Sequence, residues 1–170
     1  MDEGEFDELY ASSYARLTAQ LYAMVGNRDE AEECVQEAFA RAWQHRAKLE
    51  RSGRAEAWLR TTAYRLAVSR WRRVLLARRS PDRALTPSHV TEPSDERLAL
   101  VTALRELPES QRRVVVLHYI ADLTVADVAR ETGLADGTVK GYLSRGRATL
   151  AGLLGQDEFS GDLEEGASNV

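Results

Sequence analysis

Residues 124–154 read TVADVARETGLADGTVKGYLSRGRATLAGLL, and their apolar side chains recur every three or four positions. This spacing predicts two short amphipathic helices. Gly133 lies between them, where a residue without a Cβ can turn the chain sharply at no steric cost. Thr124 can cap the first helix through its hydroxyl, with Asp127 in the position of a capping box. The segment is therefore predicted to fold as a helix, a tight turn and a second helix.

The second of these helices has an apolar side and a basic side. The residues predicted to face inward are Val139, Leu143, Gly146, Leu150 and Leu153. The residues predicted to face outward are Lys140, Ser144 and Arg147, with Arg145 beside them. A helix that enters the major groove of DNA presents a face of this kind. The spacing of Ala129, Gly133 and Val139 is typical of a helix-turn-helix, so DNA binding is favoured over a helical hairpin with a solvated basic face.

Composition indicates an ordinary globular protein made of one domain or two small ones. The 170 residues are 44 % hydrophobic and 29 % charged, and the periodic segments are helical nearly throughout. Cys34 is the single cysteine, so no internal disulfide can form, which fits a reducing cytoplasm. Three scattered histidines argue against a zinc site, and neither a signal peptide nor a membrane span is recognised. We expect a cytoplasmic protein with no metal and no other cofactor.

The net charge of −4 conceals a strong segregation of charge along the chain. The first eight residues and residues 157–165 each carry −5, which leaves +6 on residues 9–154. Residues 29–40 carry −5, whereas residues 41–83 carry thirteen basic residues against three acidic ones. A basic region of this size predicts a surface that binds a polyanion.

The first half of the chain is predicted to form three helices. The first runs from Phe6 to Met24 and ends near Gly26-Asn27, a pair that commonly stops a helix. The second covers residues 29–49, and its predicted core face comprises Ala31, Val35, Ala38, Phe39, Ala42 and Trp43. Its outer face is acidic at the beginning and basic at the end. The helix dipole alone would explain this order, so it indicates either an ordinary surface helix or a docking face for a basic partner.

The third helix covers residues 55–79 and interleaves aromatic with basic side chains. The predicted buried residues are Trp58, Leu59, Ala63, Leu66 and Ala67. A second stripe contains Arg60, Tyr64, Val68, Trp71 and Leu75, flanked by Arg65, Arg70, Arg72 and Arg73. Arginines that meet phosphates beside rings that stack on bases suit an unstacked nucleic-acid strand. Aromatics at this spacing are also common in cores. We expect burial for Trp58 and leave both interpretations open for Tyr64 and Trp71.

A proline-containing segment, residues 80–95, is predicted to be a flexible linker between two all-α modules, residues 1–79 and 96–154. In the second module Pro108 suits the start of a helix that carries His118, which we expect to be a half-buried structural residue. The helix-turn-helix follows. Residues 155–170 are acidic and have too few apolar residues to fold alone. Their carboxylates could fold back on a basic surface and inhibit DNA binding, or they could form a solubilising tail.

Three segments in this order resemble the extracytoplasmic-function (ECF) group of bacterial RNA polymerase sigma factors. They are AEECVQEAFARAW, WLRTTAYRLAVSRWRR and LRELPESQRRVVVLHYIADLTVADVARETGLADGTVKGYLSRGRATL. The resemblance covers residues 6–154 and implies a protein that joins core RNA polymerase to promoter DNA. It also implies an anti-sigma factor as a potential partner.

The resemblance assigns a role to each module. Glu33, Gln36 and Glu37 match the segment that docks on the polymerase clamp helices. Residues 45–56 match the loop that receives a flipped-out base of the −10 element. The helix after it matches the surface for the melted strand, with Arg60, Tyr64, Arg65, Trp71 and Arg72 as the candidate contacts. In the second module Lys140, Ser144 and Arg145 would read the −35 duplex, and Arg147 would contact phosphate.

Two departures from the family pattern affect the expected base preference. Arg65 stands where members often have Asn, and Gly141 stands where a Ser commonly assists the recognition helix. Another class of protein also fits part of the chain, namely a helix-turn-helix regulator that binds DNA without joining polymerase. An enzyme is not expected, since no phosphate-binding loop, metal-ligand set or Ser/His/Asp arrangement is present in the sequence.

Overall fold

The computed structural model describes residues 1–78 and 95–155, which form helices and no strand. The predicted all-α fold is thereby confirmed. Backbone contacts divide the chain into two compact units, residues 1–92 and 93–170. The predicted linker, apart from Asp95, and the acidic tail, apart from Gly155, lie outside the described residues.

The described residues of unit one form the helices α1 (Glu3–Val25), α2 (Arg28–Gln44), α3 (Arg46–Ser52) and α4 (Ala55–Arg78). A capping box between Asp2 and Glu5 begins α1. Gly26 ends it with a φ of 74°, a left-handed conformation that glycine adopts without strain. Asn27 then caps α2 by accepting a hydrogen bond from the backbone N–H of Glu30. The predicted stop at Gly26-Asn27 is confirmed.

The core of unit one lies where α2 packs against both α1 and α4. Alanines on α2 and α4 are almost completely buried there, which lets the helix backbones approach closely. Larger side chains fill the remaining space: Leu17, Leu21, Met24, Val35, Phe39 and Leu59. Burying each of them stabilises the fold by about 1.5–3 kcal/mol.

The prediction of one continuous helix over residues 29–49 was wrong, because the helix breaks at His45. His45 has φ −109° and ψ 11°, and its N–H donates to the carbonyls of both Arg41 and Ala42. The regular helix is interrupted there, and the chain continues as α3. Residues 45–56, which the family resemblance presents as a base-receiving loop, therefore contain a short helix.

Unit two contains α5 (Asp95–Arg105), α6 (Glu109–Val115), α7 (Val125–Thr132) and α8 (Asp136–Leu154). Pro108 is the N-cap of α6. A π-helical turn, Val116–Ile120, extends α6, and its residues Val116 and Leu117 are fully buried. In the described part of unit two, α5 and α6 thus support the helix-turn-helix formed by α7 and α8.

Helix α8 crosses α6 closely at Gly146. A Cβ added to Gly146 would lie only 2.6 Å from a methyl carbon of Val115, so the crossing requires glycine. Val139, Leu143 and Leu150 are buried as predicted. The inward position predicted for Leu153 was wrong, since this residue lies one position before the end of α8 and is 51 % exposed.

Candidate nucleic-acid interface

The helix-turn-helix is held by local hydrogen bonds at both ends of α7. The Thr124 hydroxyl accepts from the backbone N–H of Asp127 at 3.2 Å and donates to the Asp127 carboxylate at 2.8 Å. At the other end Gly133 has a φ of 75°, and its N–H donates to the carbonyl of Ala129 at 2.9 Å. Val128 and Val139 are fully buried. The predicted cap and turn are confirmed, and the predicted buried face is confirmed apart from Leu153.

The turn that leads into α7 is also fixed by side-chain contacts. His118, which is half-buried as expected, donates from Nδ1 to the carbonyl of Leu123 at 2.7 Å. Asp122 between them has a φ of 57°, an uncommon conformation for a residue with a side chain. These contacts fix the direction in which α7 leaves the π-helical turn.

The outer face of α8 is basic and accessible. Lys140, Ser144 and Arg145 are exposed, and Arg147 is half-buried. The guanidinium carbon of Arg145 lies 5.3 Å from the centre of the Tyr142 ring, a cation–π contact that holds the side chain against its own helix. The structure therefore brings the four predicted residues to the surface of one helix.

On α4 the predicted strand-binding residues are not all at the surface. Arg65 and Arg72 are exposed, Trp71 is 55 % exposed, and Tyr64 is half-buried. Trp58, for which burial was expected, is half-buried and lies edge-on to His45 at 6.2 Å. The accessible candidates therefore lie from the middle of the helix onward.

Arg60 is the exception among these candidates, because only 7 % of it is exposed. Its guanidinium lies 3.4 Å from the Oε1 atom of Gln20 on α1, which is itself buried. A side chain in this position holds α1 against α4 and is not available at the surface to a nucleic-acid strand. The predicted strand contact at Arg60 is therefore corrected to a structural role.

Each of the three predicted docking residues on α2 contacts a different neighbour. Glu33 accepts a hydrogen bond from Arg70 of α4 at 2.8 Å. Gln36 donates to the Tyr14 hydroxyl of α1 at 3.2 Å, and Glu37 pairs with Arg41 one turn later at 2.8 Å. All three side chains remain at least partly accessible. They form an acidic-polar strip along α2.

An aromatic surface beside this strip was missed at the sequence level. Tyr10 stacks on Tyr14 with ring centres 4.9 Å apart, and Tyr10 is 41 % exposed. Trp43, predicted to be core, is 37 % exposed and lies under the Arg46 guanidinium at 4.2 Å. The four-residue spacing of the two tyrosines was a usable signal, but it does not tell a core stripe from a surface stripe.

Two ionisable groups near α2 have altered pKa values. Burial raises the pKa of the Cys34 thiol to about 11, and the positive charge of Arg70 partly opposes this increase. Burial also raises the pKa of Glu30, again opposed by Arg70. Among the residues that the structure describes, no group of His, Cys, Asp and Glu side chains could hold a metal ion. No helix in the described ranges is long and apolar enough to cross a membrane.

Comparison with known families matches both units. Residues 9–75 match the sigma-70 region 2 family, and residues 97–150 match the sigma-70 region 4 family. The chain is 33 % identical over 146 residues to the ECF RNA polymerase sigma factor SigL of Mycobacterium tuberculosis, which covers 79 % of this chain and 80 % of that protein. It is 28 % identical over 165 residues to the ECF sigma factor SigW of Bacillus subtilis, with 88 % of each chain covered.

Solved structures show the same architecture. The sigma factor RpoE from Bartonella quintana, solved with the anti-sigma factor NepR, has a TM-score of 0.79 and 25 % identity and covers 90 % of this chain and 98 % of its own. CnrH, solved with the cytosolic domain of CnrY, has a TM-score of 0.66 and 22 % identity and covers 92 % of this chain and 91 % of its own, which supports the fold alone. The capped helix-turn-helix and the two matched regions in sequence order lead to one conclusion: the chain belongs to the ECF group of RNA polymerase sigma factors, which recognise promoters.

Proposed function

We propose that unit one docks on core RNA polymerase through α2 and holds the melted −10 strand along α4, while unit two reads the −35 duplex with α8. The observation that carries this proposal is the position of an acidic-polar strip on α2 directly beside an arginine-rich helix with an exposed tryptophan. A regulator that only binds duplex DNA through a helix-turn-helix needs neither surface. That alternative is not favoured, because region 2 of the sigma-70 family matches residues 9–75.

The strand-binding surface on α4 is proposed to comprise Tyr64, Arg65, Trp71 and Arg72. Trp71 is exposed enough to stack on an unpaired base, and such stacking contributes about 1–3 kcal/mol per base. Arg65 and Arg72 are exposed and, being seven residues apart, lie on one face of α4, where their positive charge suits the phosphates of the same strand. Arg60 is not part of this surface because it is buried.

The duplex-reading surface on α8 is proposed to divide sequence recognition from positioning. Lys140, Ser144 and Arg145 are exposed near the beginning and middle of the helix, where side chains of a recognition helix reach base edges. Arg147 is half-buried, and we assign it to phosphate, which fixes the register of the helix without reading sequence.

The docking surface on α2 is proposed to comprise Glu33, Gln36 and Glu37, with a basic segment of the polymerase as the partner. The side chains of Glu33 and Glu37 are 68 % and 42 % exposed, so a basic partner can reach both. The chain would supply no catalysis of its own, in line with a family that is non-enzymatic in general. It would act in the cytoplasm, where polymerase and promoter are found, and we also expect an anti-sigma protein as a partner, since the sigma factor RpoE from Bartonella quintana was solved with the anti-sigma factor NepR.

Run-off transcription with bacterial core RNA polymerase and a promoter library tests the proposal. The wild-type chain should select start sites, and Trp71→Ala should reduce open-complex formation. Leu76→Ala is the matched control, since Leu76 is a 65 % exposed apolar residue on the same helix. If the chain selects no start site on any bacterial core enzyme but still binds duplex DNA through unit two, the function is that of a DNA-binding regulator.

A further inference from the structure

We propose that Arg70 couples polymerase docking to strand binding, because its guanidinium is held by the docking residue Glu33 in the free protein and is released to the DNA strand when polymerase takes over that carboxylate. This inference rests on the function proposed above. Arg70 is here a positioning residue that acts between two binding surfaces.

The geometry places Arg70 at the boundary between these surfaces. Its Nη1 atom donates to the Oε2 atom of Glu33 at 2.8 Å and so joins α4 to α2 across 37 residues of sequence. Trp71, the next residue on α4, is 55 % exposed. Arg70 thus reaches the acidic strip from a helix whose neighbouring side chains are those proposed to hold the strand.

In the free protein the positive charge of Arg70 acts on the ionisable groups of α2. Its positive charge opposes the pKa increase that burial causes at Glu30 and at Cys34, both of which lie on α2 near Glu33. Because its guanidinium is directed at these groups, Arg70 attracts a phosphate on the other side of α4 less strongly.

The pair is accessible to competition from both directions. The Glu33 side chain is 68 % exposed and that of Arg70 is 34 % exposed, so a basic polymerase side chain can approach the carboxylate and a phosphate can approach the guanidinium. Neither competitor can form its own ion pair while Arg70 and Glu33 remain bound to each other. Because polymerase binding and strand binding break the same ion pair, each must increase the affinity for the other by the same factor. The small energy of an exposed ion pair limits this increase in affinity to about two- to fivefold.

The test is a double-mutant cycle in the full-length chain, read out as the affinity for a fluorescein-labelled single-stranded oligonucleotide of mixed sequence, at low salt and without polymerase. Glu33→Gln should tighten binding by about two- to fivefold, since it frees Arg70. Glu32→Gln is the matched control. It removes the same charge from the adjacent position of α2, but Glu32 pairs with Arg28 of its own helix. In the Arg70→Gln background, Glu33→Gln should bring no more gain than the control.

A second measurement, the affinity for bacterial core RNA polymerase without DNA, tests the other direction. Arg70→Gln should tighten this binding by about two- to fivefold by freeing Glu33. Arg78→Gln, which removes an exposed arginine from the same helix, should not do so. Equal gains from Glu33→Gln and Glu32→Gln, or a gain that persists without Arg70, would overturn the coupling while leaving the proposed function intact. Failure of the wild-type chain to bind either polymerase or the strand would overturn both.

Discussion

Replacing Gly146 by alanine tests whether the close crossing of α6 and α8 holds unit two together. The new methyl group would lie 2.6 Å from Cγ2 of Val115 and 3.7 Å from Cδ1 of Leu107. The first distance is far below a normal carbon–carbon contact of about 3.5–4.0 Å. Val115 and Leu107 are each only 2 % exposed, so neither side chain can move aside into solvent.

Two opposing terms set the size of the effect. Overpacking a closely packed site costs about 1–3 kcal/mol. Alanine is better than glycine inside a helix by about 0.8–1 kcal/mol. Gly146→Ala should therefore destabilise unit two by about 0–2 kcal/mol in total. Gly152→Ala is the matched control, because it gains the same helix propensity on α8 and its added Cβ meets no atom within 4 Å. The difference between the two variants isolates the contact at about 1–3 kcal/mol.

The positions of the tryptophans allow the two units to be followed separately. All three, Trp43, Trp58 and Trp71, lie in unit one. Tryptophan fluorescence during urea unfolding therefore reports unit one, whereas far-UV circular dichroism reports both units. Gly146→Ala should shift only the part of the dichroism transition that fluorescence does not follow. If this variant is as stable as Gly152→Ala, the two helices do not cross as closely as described and the argument is refuted.

Three further outcomes are expected. Thr124→Ala should destabilise unit two by about 1 kcal/mol, since it removes the cap of α7, and urea unfolding followed by circular dichroism measures this; an unchanged midpoint would contradict the capping role. The Cys34 thiol has a pKa raised to about 11, so at pH 8 it should react with a thiol reagent at least about a hundred times more slowly in the folded chain than in urea. Equal rates in the two conditions would contradict its burial. Arg145→Ala should lower the binding free energy for the preferred −35 duplex by about 1–3 kcal/mol and relax the sequence preference of the protein. Arg147→Ala should weaken binding to all duplexes similarly and reduce the salt dependence of binding by about one counterion. Identical behaviour of the two variants in fluorescence-anisotropy titrations would contradict the division of roles.

Hydrophobic periodicity and local capping were sufficient to predict most helices. The end of α1 at Gly26 and the capped turn around α7 follow from residues that act on their immediate neighbours in the chain. The break at His45 was not predictable in this way, because residues 29–49 contain neither glycine nor proline and keep a helical pattern throughout. At the break the backbone N–H of His45 is shared between the carbonyls of Arg41 and Ala42, a geometry that the residue types in this stretch do not predict.

The candidate sites were likewise predictable only where they depend on residues within a single helix. The face of α8 was predictable, since a single amphipathic helix carries both its buried and its exposed side in its own sequence. The burial of Arg60 was not predictable, because periodicity assigns a charged residue to the surface and says nothing of its contact with Gln20 on another helix. The exposed Trp43 shows the converse case. Its ring packs against Phe6 and Arg46 at the rim of the core, an arrangement that composition does not reveal.

If α4 binds the strand as proposed, its final part has a thermodynamic consequence for that binding. The last fully buried residue of α4 is Ala67, and the helix continues to Arg78 with about three turns that bury no side chain completely. Helical turns without such support fray readily, so amide hydrogens after Trp71 should exchange faster than those before Ala67. A bound strand would then suppress this fraying, and part of the binding energy would be consumed in ordering the helix end. Preorganising this end with better helix formers should therefore strengthen binding without adding a single contact to the DNA.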